Sequence, residues 1–280
     1  MGKITDYSAA TRFDANDVLL KDGTGGTKKI LVADAATEFA GLVSAMQHRN
    51  VFRGKNLGTS VTAAQKAAIQ NATFDDLFIG DYWVINGVNW TIADMDYWYQ
   101  TGDTAFTRHH LVIIPAGKLY DAKMNDSNTT EGGYYGSKMR GGEDGVASGN
   151  LGQALTAFQN AFGDMLLTHR EYLTNAVTDG HPSAGAWYDS TIDLMNEIMV
   201  YGCHIHAPAN DGVMLPTRYT INKQQLSLFR LNPKAINNRQ YIWLRDVVTA
   251  AYFALVGTGG NAASGGASGS SGVRPVGAIG

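Results

Sequence analysis

The residues best able to do chemistry lie in four places along the chain. Cys203-His204-Ile205-His206 puts two imidazoles at i and i+2, which share one face of a strand, beside a thiol that is a soft ligand once ionised. Such a set suits zinc. No second cluster stands at ligand spacing, so the set is incomplete, and neither a metal nor any other cofactor is expected. His109 and His110 would point to opposite faces of a strand and so do not act jointly. Asp94 and Asp96 bracket the exit of a Trp-rich hairpin, where a carboxylate pair could serve glycoside hydrolysis. Asp at a strand exit is also an ordinary turn former. Glu171 and Asp189 divide in the same way, with a local salt bridge or cap as the simpler role. The chain carries no Gly-x-Ser-x-Gly elbow, Walker loop or His-Glu-x-x-His pair. The Gly-Thr-Gly-Gly-Thr-Lys-Lys run ending at Lys29 misses the phosphate-loop spacing. The reading is therefore not an enzyme.

Binding is the better use of the residues that stand out. Tyr134 and Tyr135 sit among glycines, as happens where backbone must pass close to something. Tyr252, Phe253, Asn261 and Ser264 fall in or beside a small-residue stretch near the end of the chain. Tyr brings amphipathic contact area at modest entropy cost, and Ser, Gly and Asn adapt around it. For Tyr252 and Phe253 the alternative is burial in the core of a final sheet. A face of small side chains grips weakly at one site, so repetition on a particle would have to supply strength by avidity.

These residues need elements to hold them. With 280 residues and 44% hydrophobic content the chain can build a sizeable core, and 17% charged residues is low for an enzyme of this size. The net charge of −3 gives no electrostatic case for a nucleic-acid partner. A single cysteine excludes an internal disulfide framework. An apolar leader and any run approaching the ~18 residues of a membrane span are both missing, so a soluble product without membrane insertion is expected.

Residues 1–50 read as strand, Gly-rich turn and strand, followed by a helix with apolar Ala36, Phe39, Leu42, Val43 and Met46 on one stripe. A hairpin with one helix buries too little to stand alone, and copies of itself about an axis are the simplest partner. Residues 51–280 form the second region. Thr62 caps a short helix, and Asn86-Gly87 makes the type I′ turn of the clearest hairpin, with Trp83, Ile85, Val88, Trp90 and Ile92 alternating. A strand running from His109 to Pro115 and a helix with Ala154, Leu155, Phe158 and Phe162 on one face follow. The segment from Trp187 to Val200 reads as a short irregular helix. The fold class is α+β, without the βαβ alternation of a doubly wound sheet. From Gly257 onward 17 of 24 residues are Gly, Ala or Ser. Bracketed by Trp243-Leu244-Arg245 and Gly272-Val273-Arg274-Pro275, this stretch reads as a framed loop displayed by two strands.

Two resemblances sharpen the picture. Asn16 to Ile30 with the helix after it resembles the N-terminal attachment segment of bacteriophage fibre and minor virion proteins. The frame of Trp243-Leu244-Arg245 and Gly272 to Pro275, together with Asp81-Tyr82-Trp83, Gly132 to Met139 and His169 to Leu173, resembles the C-type-lectin-like fold of the DUF6273 kind. That group is similar to formylglycine-generating-enzyme-type domains and to the variable domains of diversity-generating retroelements. The resemblance implies a loop-bearing face between Asp246 and Gly272 that carries ligand contacts. The Glu-Pro-Asn and Trp-Asn-Asp calcium motifs of sugar-binding lectins are absent. His-x-His triplets like that of His204 and His206 occur in trimeric phage spikes, where three chains share one iron. Together these imply a phage virion protein, a fibre, tail or head decoration, that assembles as a homotrimer and has no nucleic-acid partner. Residues 1–50 would join it to other virion proteins, and residues 51–280 would meet a host-surface protein or glycan. The alternatives are a purely structural particle protein and, less favoured, a depolymerase using Asp94 and Asp96.

Overall fold

The computed structural model describes residues 18–21, 28–31, 45–206 and 224–280. The chain divides into two units, Met1–Gln47 and His48–Gly280. In the first, strand β1 (Val18–Lys21) pairs antiparallel with β2 (Lys28–Leu31), Val18 opposite Leu31 and Lys21 opposite Lys28. Of the helix expected to follow, only its last residues are described, within α1 (Ala45–His48); the rest of that expectation lies outside the described residues.

The second unit is mixed α+β and mostly sheet. It opens on two signals that local chemistry makes legible. Helix α2 (Ala63–Gln70) starts at Thr62, whose hydroxyl accepts from the Gln65 amide while the Gln65 side chain accepts from the Thr62 amide. The same Gln65 oxygen takes the indole N–H of Trp83 at 3.2 Å, which ties the helix to the hairpin. That hairpin is β3 (Tyr82–Ile85) and β4 (Val88–Met95), with Asn86 and Gly87 at φ of 52° and 76°, the left-handed pair a type I′ turn requires. Trp83 and Trp90 face each other across it, and both are buried.

Strand β5 (Leu111–Pro115) pairs with β4, beginning two residues later than the apolar run suggested. The chain then crosses to a second sheet as β6 (Tyr120–Lys123). After a long glycine-rich loop, helix α3 (Gly152–Phe162) packs on the first sheet, with Phe158 and Phe162 edge-on to Trp90 at 4.6 and 5.4 Å. A short β7 (Leu166–Leu167) leads into an antiparallel ribbon of β8 (His169–Thr178) and β9 (His181–Ser190). Its turn is Asp179-Gly180 at φ of 52° and 79°, again the type I′ pair. Strand β10 (Ile192–Leu194) and helices α4 (Glu197–Tyr201) and α5 (Ser227–Leu231) follow. The segment read as one irregular helix is thus strand first and helix only from Glu197.

The last stretch completes both sheets. Strands β11 (Ile242–Val247), β12 (Tyr252–Val256), β13 (Ala262–Gly266) and β14 (Ser270–Val273) join β6 in the order β13-β12-β11-β14-β6. The final β15 (Pro275–Ile279) lies in the first sheet, in the order β10-β15-β5-β4-β3, with β7 also against β15. Trp243-Leu244-Arg245 and the Gly272 motif do lie side by side, Ile242 and Gly272 being parallel partners. What they frame is a strand pair instead of a loop. Gly265 has no side chain because Trp243 occupies that space: a Cβ there would stand 2.9 Å from the indole. Arg274, buried at the step from β14 to β15, donates to the carbonyls of Pro115 at 2.9 Å and Ala235 at 3.0 Å. Burial pulls its guanidinium down to about 10. It pins the seam between the two sheets. Among the described residues no helix is long and apolar enough to cross a membrane.

Candidate binding groove

The loop from Gly132 to Gly136 is laid flat on the β8–β9 ribbon. The Tyr135 amide donates to the Thr174 carbonyl at 2.9 Å. Gly133, at φ 63°, passes so near that a Cβ would lie 2.5 Å from that same oxygen. The glycines around the tyrosine pair are explained by this close approach, as their pattern implied. The two tyrosines then part company. Tyr134 is 1% exposed, donates to Asp193 Oδ1 at 3.0 Å and accepts from the Leu194 amide at 2.9 Å. Its expected contact with a ligand is corrected: burial and a saturated hydroxyl make it part of the frame. Tyr135, half-buried, stacks on Tyr188 of β9 with centroids 3.6 Å apart and planes 13° from parallel.

This stacked pair borders a groove of about 390 Å³, whose other walls include Arg140, Glu143, Asp144, Leu155 and Asp189. Arg140 is 3% exposed. Its Nη2 donates to the Asp189 carbonyl at 2.8 Å, and its Nε is 2.8 Å from Asp193 Oδ1, an ion pair not aligned for a hydrogen bond. Asp193 also takes the hydroxyls of Tyr134 and Ser190. The Arg140 cation among the lining residues is therefore held by a buried polar network. Glu143 and Asp144 are exposed on a single 3₁₀ turn (Gly142–Asp144), and no ion pair to either carboxylate occurs among the described residues. Desolvation first, then the neighbouring Tyr188 and the charge of Glu143, raise the Tyr135 phenol. The Tyr188 hydroxyl accepts from Asn175 at 2.8 Å. The lining of the groove thus combines two stacked tyrosines, a fixed guanidinium and two exposed carboxylates.

The other candidates stand elsewhere. Tyr252 (45% exposed), Asn261 and Ser264 are exposed on or beside β12 and β13, and none of them lines the groove. Phe253 is fully buried, so its expected ligand contact is also corrected: on β12 its side chain faces inward, away from the Tyr252 side. Cys203, His204 and His206 lie in the irregular segment after α4, not on a strand, so the shared-face argument does not apply to them. The Glu197 carboxylate accepts the amides of Ile205 and His206, and His206 Nε2 is 3.2 Å from the Ala262 carbonyl. No group of three His, Cys, Asp or Glu able to hold a metal occurs among the described residues.

The carboxylates considered for catalysis are engaged. Asp94 is fully buried and receives Arg49 together with the Ser227 amide and hydroxyl. Asp96 takes His109 Nδ1 at 2.8 Å and the His110 amide at 2.9 Å. Glu171 accepts from Arg245 at 2.8 Å and from the Trp98 indole at 2.7 Å. Asp189 pairs with Arg170 at 2.9 Å. A second cavity of about 330 Å³, lined by Phe106, His169, Arg170 and Asp189 among others, has its Arg170 bridged to Asp103 and Asp189.

Sequence reasoning found Tyr135 and missed Tyr188, Arg140, Glu143 and Asp144. The signal for Tyr188 was present in Asp179-Gly180, a strong hairpin dipeptide between alternating segments. Arg140, Glu143 and Asp144 sit in an irregular loop with no periodic signature. Compared with known proteins, the chain matches no family model, no curated protein and no solved structure.

Proposed function

We propose that this chain is a bacteriophage virion protein that displays a binding module to the host surface, and that the module meets its ligand at the Tyr135/Tyr188 groove. The observation that carries the binding role is the stacked pair itself: two half-buried aromatic rings held parallel in the lining of a groove that also includes the locked guanidinium of Arg140. Pre-organised aromatic and polar groups lower the ordering cost of binding. The virion setting is supported by the resemblance of residues 16–30 to phage attachment segments and by the β1–β2 hairpin found there. A C-type-lectin-like arrangement of the larger unit is proposed on the same footing, supported by the adjacency of the Trp243 and Gly272 motifs. Residues 1–50 serve attachment and trimerisation in this reading, and weak single sites gain strength by repetition.

The test is binding of labelled full-length protein to host cells. Tyr135→Ala should reduce cell-bound protein at least tenfold, while Tyr252→Ala leaves it within a factor of two. The reverse pattern would move the contact surface to β12 and β13, and no loss with either would favour a packing role.

A further inference from the structure

We infer that the groove takes a hydroxyl-rich pyranose unit without an acidic group, one or two rings of a surface polysaccharide. This rests on the binding reading above and names the chemistry of its ligand. Three observations converge on it.

The first is shape. A pyranose presents a flat patch of C–H groups, and Tyr135 and Tyr188, stacked on each other, both line the groove and give it aromatic surface with phenol hydroxyls. The volume of about 390 Å³ lies at the small end of the ~300–1,000 Å³ typical of ligand clefts, which suits one or two rings.

The second is hydrogen-bond sense. Ionised Glu143 and Asp144 only accept, and Arg140 only donates. A wall with both senses is matched by hydroxyls, since each one donates and accepts. Arg140 is 3% exposed and fixed by Asp193 and the Asp189 carbonyl, so the guanidinium among the lining residues is in place before any ligand arrives. Charge-assisted hydrogen bonds to such groups are the strong ones.

The third is charge. Arg140 is neutralised by Asp193, and Arg170 takes Asp189, while Glu143 and Asp144 have no ion pair among the described residues. The groove therefore presents net negative charge to its ligand, and a uronic or sialic acid would bring a like charge against it. Selectivity for neutral over acidic sugars follows.

Full-length protein titrated with methyl α-glucoside, methyl α-mannoside, methyl β-galactoside, glucosamine and glucuronate, followed by ligand-observed saturation-transfer NMR, tests this. At least one neutral glycoside should bind with a Kd of about 1 mM, the weak affinity a small polar ligand commands. Tyr135→Leu and, independently, Tyr188→Leu should each weaken it at least tenfold with the far-UV circular dichroism unchanged. E143Q and D144N should each weaken it roughly threefold to tenfold, as loss of one charge-assisted hydrogen bond does. The doubly neutralised E143Q/D144N protein should gain glucuronate binding that the wild type lacks. Glucosamine, whose cation suits a negatively charged groove, should bind at least as well as the neutral glycosides. Preference of the wild type for glucuronate would overturn the assignment. So would neutral-sugar binding that ignores all four substitutions. If no neutral sugar binds but Tyr135→Ala still abolishes host-cell binding, the sugar assignment fails alone; if cell binding is also untouched, the groove fails as a binding surface.

Discussion

Asp246 sits buried on β11, with its Oδ2 taking the Glu197 amide at 2.7 Å. Burial first and the nearby Glu197 charge second push its carboxyl up from 3.8 to about 6. A raised carboxyl is the reverse of the usual acidic case. Between about pH 4 and pH 6 the folded protein holds a proton that the unfolded chain has released, so stability falls as pH rises through that window. The loss amounts to roughly 2–3 kcal/mol at most, at about 1.4 kcal/mol per unit. The D246N protein keeps an acceptor for the Glu197 amide without the titration. Chemical denaturation from pH 4 to pH 7 should therefore show the variant gaining on the wild type by up to that amount. A difference independent of pH would refute the account. The neighbouring Arg245 shows the opposite use of burial: its Nη2 and Glu171 Oε1 are 2.8 Å apart and both nearly dry, a pair whose partners depend on each other.

At the scale of elements, the β8–β9 ribbon and the Gly132–Gly136 loop form one device. The ribbon turns at Asp179-Gly180 and supplies Tyr188, and the loop supplies Tyr135 by lying against Thr174. Gly133→Ala is predicted to break their contact. It adds a Cβ 2.5 Å from the Thr174 carbonyl at a φ of 63°, at a cost of about 1–3 kcal/mol. Urea unfolding should show that loss, and the ring-current-shifted resonances of the Tyr135/Tyr188 stack should move toward random-coil positions. Retained stack shifts would show that the glycine is dispensable. The small residues of β13 have an element-level cause too. Gly265 lies under Trp243 and Leu255, so the composition that looked like a flexible linker is that of a strand on which an indole rests.

For the whole molecule, the two units call for separate roles. Met1–Gln47 holds a two-stranded hairpin, and an isolated pair of strands is marginal in water. His48 and Arg49 belong with the larger unit, His48 stacking on Phe78 at 4.4 Å and Arg49 meeting Asp94. Under the proposed trimer, light scattering should give three chains per particle for the full protein and one after removal of residues 1–47. A monomeric full-length protein, or a trimer that survives the truncation, would dismiss an oligomerisation role for that segment. The larger unit closes through its chain end: β15 runs between β10 and β5 in one sheet while β14 lies in the other. Truncation before Pro275 would thus remove a central strand.

The sequence by itself determined the local events whose causes lie within a few residues. Thr62 and Gln65 cap α2, Asn86-Gly87 turns a hairpin that pairs Trp83 with Trp90, and the glycines beside Tyr135 announce a close backbone passage. Short-range capping and turn chemistry act before any distant contact forms, so they are legible in order along the chain. Which face each side chain took was decided only by the tertiary structure. Tyr134 and Tyr135 are neighbours in sequence, yet one is locked to Asp193, 59 residues away, and the other stacks on Tyr188. Tyr252 and Phe253 divide in the same manner between surface and core. The groove gathers Arg140, Glu143, Leu155 and Tyr188 from a loop, a turn, a helix and a strand. Long-range packing chooses among residues of equal local propensity, and no spacing along the chain encodes that choice.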